Sequence, residues 1–130
     1  MKLDHLGLAV KDIREASRFY SKSMGWKERS VIFLDPIQKV NVLFMADENG
    51  FVYELLEPTD KDSPVSRFLE KRISLYHLCY AVENLEKKLE ELTTKGFYLI
   101  SEPSKATAFG GRNIAFLINR DNLIIELVEQ

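Results

Sequence analysis

Shifting the sequence by 72 residues lays His5 on His77 and Glu54 on Glu126. The same shift sets Leu3, Leu6, Ala9 and Val10 on Leu75, Leu78, Ala81 and Val82, and sets Asn41, Phe44, Leu55 and Glu57 on Asn113, Phe116, Leu127 and Glu129. Self-similarity at a fixed offset marks a repeated structural unit, and it constrains the fold more than any single motif does. Glutamate makes up 13 of the 130 residues, so one Glu falling on another is about a one-in-ten event. Falling beside the chain's two histidines, themselves in register, on a matching apolar frame, is far rarer. Two imidazoles and two carboxylates suit a divalent first-row ion such as Co, Ni, Zn, Mn or Fe, and leave positions open if that ion is six-coordinate.

Each half is too short to bury a good core alone, so the expectation is a single domain, 1–130. It is made of modules at about 1–58 and 73–130, joined by a short helical linker. A hydrophobic content of 45% with 29% charged residues is that of a globular chain, and a net charge of −2 offers no basic excess for nucleic acid or an anionic membrane. No apolar run approaches the ~20 residues of a spanning helix, and Met1-Lys2-Leu3-Asp4-His5 has no secretory pattern, so a cytoplasmic protein is expected. The single cysteine, Cys79, cannot form an internal disulfide, which fits a reducing compartment.

Residues 3–10 read as a strand, and Asp12 then caps a helix over 13–24 whose Ile13, Ala16, Phe19, Tyr20 and Met24 form an apolar stripe, with Gly25 as its stop. Strands follow at 28–34, 40–46 and 51–57, separated by Asp35-Pro36 and Glu48-Asn49-Gly50. The second module repeats this βαβββ order with a strand at 75–82, a helix at 85–95 ended by Gly96, and strands at 97–101, 113–118 and 123–128. Asp62-Ser63-Pro64 is a helix start leading into 65–71. The expected class is therefore α+β, built from tandem βαβββ modules.

Strand parity sets His5 with Leu3, Gly7 and Ala9, and His77 with Leu75, Cys79 and Ala81. Small neighbours leave room for a ligand, while the opposite faces, Leu6, Leu8 and Val10 with Leu78, Tyr80 and Val82, suit packing on helices. Glu54 lies with Val52 and Leu56, and Glu126 with Ile124 and Val128. A carboxylate among apolar neighbours costs several kcal/mol unless it is paired or ligates a metal. The glutamate pair therefore carries more of the functional argument than the histidines do. The helix face Glu86, Lys87, Glu90, Glu91 and Lys95 reads as a charge-patterned solvent surface.

Tandem βαβββ modules with His on each first strand and Glu on each last strand resemble the vicinal oxygen chelate superfamily of glyoxalases, extradiol dioxygenases, epimerases and bleomycin- or fosfomycin-resistance proteins. The resemblance covers nearly the whole chain and implies that the tandem βαβββ modules form a curved mixed sheet around a metal-binding cavity. It is nearest to methylmalonyl-CoA epimerase-like members, through Leu3-Asp4-His5-Leu6-Gly7-Leu8-Ala9-Val10, Glu54-Leu55-Leu56-Glu57-Pro58, Asp62-Ser63-Pro64-Val65 with Phe68-Leu69, and Tyr76-His77-Leu78-Cys79-Tyr80. It implies one divalent ion on His5, Glu54, His77 and Glu126, with Glu126 also the proton-transfer base, and an enolate or enediolate reaction on a small acyl thioester such as an acyl-CoA.

A glyoxalase I-like lyase acting on a hemithioacetal, with its site completed across a dimer, is the neighbouring alternative. A non-enzymatic antibiotic-binding protein is the alternative of another class, although such binders typically lack the metal set. Ring-cleaving dioxygenases and fosfomycin-type transferases use three protein ligands, which a fourth at Glu54 would crowd. Two departures stand out. No acid occupies the position of the epimerases' further glutamate, on or beside Ile37, and Asn119-Arg120-Asp121-Asn122 replaces a Gly-Gly pair between the last strands. The loop with Lys105, Phe109, Gly110, Gly111 and Arg112 corresponds to a segment near the substrate mouth, and makes Arg112 and Lys105 the candidate substrate-binding cations. A homodimer is implied by the habit of the superfamily.

Overall fold

A computed structural model describes residues 1–130. It contains ten strands and three α-helices with mixed parallel and antiparallel pairing. The chain divides into two compact units, His5–Tyr76 and a second made of Met1–Asp4 with His77–Gln130. The strand β1 (Lys2–Ala9) thus contributes its first residues to the second unit and the rest to the first.

In the first unit, β1 leads to the helix α1 (Ile13–Met24), then to β2 (Lys27–Glu28), β3 (Phe33–Asp35), β4 (Val40–Ala46) and β5 (Val52–Pro58). The strand β5 lies parallel to β1 and antiparallel to β4, which in turn carries β2 and β3 along its other edge. Asp12 Oδ1 accepts the backbone N–H groups of Arg14 and Glu15 at 3.1 and 3.0 Å, satisfying two donors that open the helix. Gly25, at φ 70°, ends it in a left-handed turn that a Cβ would strain.

Ile13, Val10 and Trp26 pack with Leu43, Met45 and Leu55 under this helix. Full burial stabilises the fold by about 1.5–3 kcal/mol for each large side chain. The expected helix stripe is narrower than its sequence suggested, because Phe19 and Met24 are 62% and 56% exposed. Trp26, just past the helix, is buried instead, its ring stacked between Tyr20 and Tyr53 at centroid distances of 4.5 and 3.8 Å.

The strand expected over 28–34 is two strands. Arg29 N–H donates to Phe44 O at 2.8 Å, but Phe44 N–H donates to the Ser30 hydroxyl at 3.0 Å, so a side chain takes the place of the next ladder bond. The linker holds a helix, α2 (Pro64–Glu70), capped by Ser63 and belonging to the first unit.

The second unit repeats the plan with β6 (Leu75–Val82), α3 (Leu85–Thr93), β7 (Tyr98–Leu99), β8 (Ser104–Lys105), β9 (Asn113–Ile118) and β10 (Ile124–Glu129). The first two residues of β6 fall in the first unit. The strand β10 is parallel to β6 and antiparallel to β9, and β7 and β8 pair with β9. Leu85, Leu117, Ile125 and Leu127 form the core beneath α3. This helix stops at Thr93, short of the expected Lys95, where the hydroxyls of Thr93 and Thr94 bond back to carbonyls of the preceding turn. The loop ahead of β9 holds β8 and a single 3-10 turn, Thr107–Phe109, neither of which the sequence reading anticipated. No helix is long and apolar enough to cross a membrane.

Candidate functional site

In the first unit, residues directly opposite one another form two rows across the sheet. One runs Gly7, Glu54, Phe44, and the next Ala9, Leu56, Val42. His5 stands two residues before Gly7 on the same face. Its Nε2 lies 3.4 Å from Glu54 Oε1, and its ring meets Phe44 edge-on with centroids 5.7 Å apart. The second unit reproduces both rows as Cys79, Glu126, Phe116 and Ala81, Val128, Ile114. His77 Nε2 lies 2.9 Å from Glu126 Oε2, and Phe116 stands edge-on to the imidazole at 5.7 Å.

The side chains that the repeat brought into register are therefore joined within each unit as a buried His–Glu pair beside an aromatic ring. His5 and His77 are 0% and 2% exposed, and Glu54 and Glu126 are 5% and 3%. Phe44 and Phe116 align in the repeat, and that register is the sequence signal of their place in the site.

A divalent ion fits this chemistry. Two carboxylates and two neutral imidazoles together carry the charge that such an ion neutralises, and these four residues form a group that could hold a metal ion. The spacing within each pair agrees. Donors ~2.0–2.2 Å from one ion stand about 2.8–3.6 Å apart at octahedral or tetrahedral angles. The first pair, at 3.4 Å, lies beyond the ordinary hydrogen-bond range but within that bite, and the second, at 2.9 Å, sits at its lower edge.

Lys105 is exposed on β8, paired in register with Asn113. Arg112 is also exposed, and its guanidinium is tied to its own unit. Nε donates to Phe109 O at 3.1 Å, Nη1 to Glu129 O at 3.5 Å, and the group lies 5.5 Å from the centroid of the Phe109 ring. Ile37 is 66% exposed in the turn after β3. The acid nearest it in sequence, Asp35, is buried and accepts the Ile37 and Gln38 backbone N–H groups at 3.0 and 3.2 Å, so its carboxylate closes the turn. Cys79 is buried in the row of Glu126.

Comparison with known proteins places this arrangement in context. Residues 4–116 match the family model described as the Glyoxalase/Bleomycin resistance protein/Dioxygenase superfamily. The mitochondrial methylmalonyl-CoA epimerase of Homo sapiens is 32% identical over 97% of this chain and 72% of its own. An uncharacterised Bacillus subtilis protein, YqjC, is 34% identical over 98% of this chain and 91% of its own. Among solved structures, methylmalonyl-CoA epimerase from Mycobacterium tuberculosis superposes with a TM-score of 0.85 at 28% identity, covering 98% of this chain and 87% of that one.

Proposed function

Because the chain belongs to the Glyoxalase/Bleomycin resistance protein/Dioxygenase superfamily, we propose that it is a metal-dependent isomerase. It forms an enolate on a small acyl thioester, in the manner of methylmalonyl-CoA epimerase, and His5, Glu54, His77 and Glu126 hold one divalent ion. The observation that carries this reading is the duplicated, buried His–Glu pair on a face of small residues, in a chain so like an epimerase along its length. A non-catalytic binder needs an open apolar face; it has no use for two buried carboxylates whose desolvation costs several kcal/mol.

A bound divalent ion would polarise the thioester carbonyl and make the adjacent C–H more acidic. Glu126 is the base in this proposal. Its carboxylate takes the α-proton, and the imidazole of His77, 2.9 Å away, would hold the same ion beside it. The row beside it, Ala81, Val128 and Ile114, excludes water from that carboxylate. Lys105 contacts the anionic part of the substrate, as does Arg112 through donors not spent on the two carbonyls. The protein works in the cytoplasm as a homodimer.

The test is proton exchange. Metal-loaded protein in deuterated water should place deuterium on the α-carbon of methylmalonyl-CoA. Glu126→Gln should slow this by at least 100-fold, the usual scale of general-base catalysis. Exchange at the wild-type rate in a variant that still binds metal would remove Glu126 as the base. Turnover of methylglyoxal hemithioacetal in place of the thioester would move the assignment to a glyoxalase-type lyase, which the same donors would serve.

A further inference from the structure

We propose that Phe109 sets the size of the α-substituent that the second unit accepts, making it a specificity-determining residue for short 2-alkylmalonyl thioesters. The inference rests on the isomerase reading and names the substrate feature that the site measures. The face carrying His77 and Glu126 continues beyond the glutamate only in apolar atoms, Ala81, Val128 and Ile114, one row on. Phe109 and the buried Ala106 pack onto that row, in one cluster with Cys79. A substituent on the carbon whose proton Glu126 removes must lie within a few ångströms of that carboxylate, and in the second unit the row it meets is the one that Phe109 covers. Ala81 is small and Cys79 lies in the glutamate row, so the bulk that bounds this side of the face comes from the Phe109 ring packed on it.

The ring is held by its own loop. The 3-10 turn Thr107–Phe109 is closed by Gly111 N–H donating to Ala106 O at 2.9 Å, and Ala106 N–H donates to Arg112 O, also at 2.9 Å. Gly110 and Gly111, at φ 64° and 81°, take left-handed conformations that let the chain reverse in so few residues. Arg112 then fastens the turn to Glu129 O on β10 and lies against the Phe109 ring. The aromatic ceiling is thus fixed to the strand that carries Glu126. In the first unit the position that the repeat sets against Phe109 is Ile37, which is 66% exposed, so the equivalent row of Ala9, Leu56 and Val42 is buried without it.

In an apolar pocket of fixed size, one methylene changes selectivity by about 10–200-fold. Dissociation constants of methyl-, ethyl- and propylmalonyl-CoA should therefore be measured by calorimetry on metal-loaded wild type, Phe109→Leu and Phe109→Ala, with α-deuterium exchange rates alongside. The wild type should favour methyl over propyl at least tenfold. Phe109→Ala should reduce or invert that ratio by at least tenfold, with Phe109→Leu between. A ring that merely supported the loop would, on removal, weaken all three ligands alike, and that result, or an unchanged ratio in both variants, overturns the proposal. If the metal-loaded wild type binds none of the three thioesters, the isomerase reading fails first and the proposal falls with it; binding with unchanged selectivity sinks the proposal alone.

Discussion

Each buried glutamate of this chain lies against a histidine and beside an aromatic edge, and both pairs were legible in the sequence because their chemistry depends on residue type. Few side chains ligate an ion, and the chain holds only two histidines, so their register stood out. Phe109 could not be found the same way, since an aromatic in a glycine-containing loop has no periodicity to reveal what it covers. Tyr53 shows how local packing tunes a titrating group. Partial burial, followed by the hydroxyl's bond to Asp47 at 3.2 Å, raises its pKa above the usual 10.0. The folded state therefore favours the neutral phenol. The stability this gives is complete below the unfolded pKa and is lost as pH rises through the folded one. Tyr53→Phe, which keeps the stack on Trp26, should lose less thermal stability than wild type between pH 7 and the region above pH 10. Equal losses in the two proteins would show that Asp47 and burial leave the phenol unaffected.

At the scale of elements, α1 runs between the bounds read from its cap and its stop, because Asp12 and Gly25 act locally. The strand split at Ser30 was hidden because a hydroxyl's choice to replace a ladder bond depends on where β4 lies. The Asp-Ser-Pro motif has a physical basis at its serine. Ser63 is buried, its hydroxyl donates to Gln38 O at 3.1 Å, and its oxygen accepts Val65 N–H at 3.4 Å, so one side chain caps α2 and fastens it to the turn after β3. Ser63→Ala should cost about 1–2 kcal/mol, since it strips a cap and leaves a half-buried carbonyl without its donor. Asp12→Ala, at an exposed cap, should cost about 1 kcal/mol. Urea denaturation of both variants checks the order, and a Ser63→Ala midpoint equal to wild type would deny the tie.

The whole molecule is one βαβββ plan used twice, and the repeat exposed this because inheritance kept both the apolar frame and the polar exceptions to it. Where the copies differ, function is the better guide. Gly7 answers to Cys79, and Ile37 to Phe109, so an aromatic ring packs beside the second unit's glutamate row where the first unit has an exposed isoleucine. The central claim is that the two His–Glu pairs serve one ion, which elemental mass spectrometry of protein purified without chelator measures directly. We predict one equivalent of divalent metal per chain in the wild type, and its loss in His5→Ala and His77→Ala alike, because each removes a ligand from the same ion. Two equivalents per chain, with one surviving in each variant, would show two separate sites, and no metal even after reconstitution would leave the pairs without the role assigned to them.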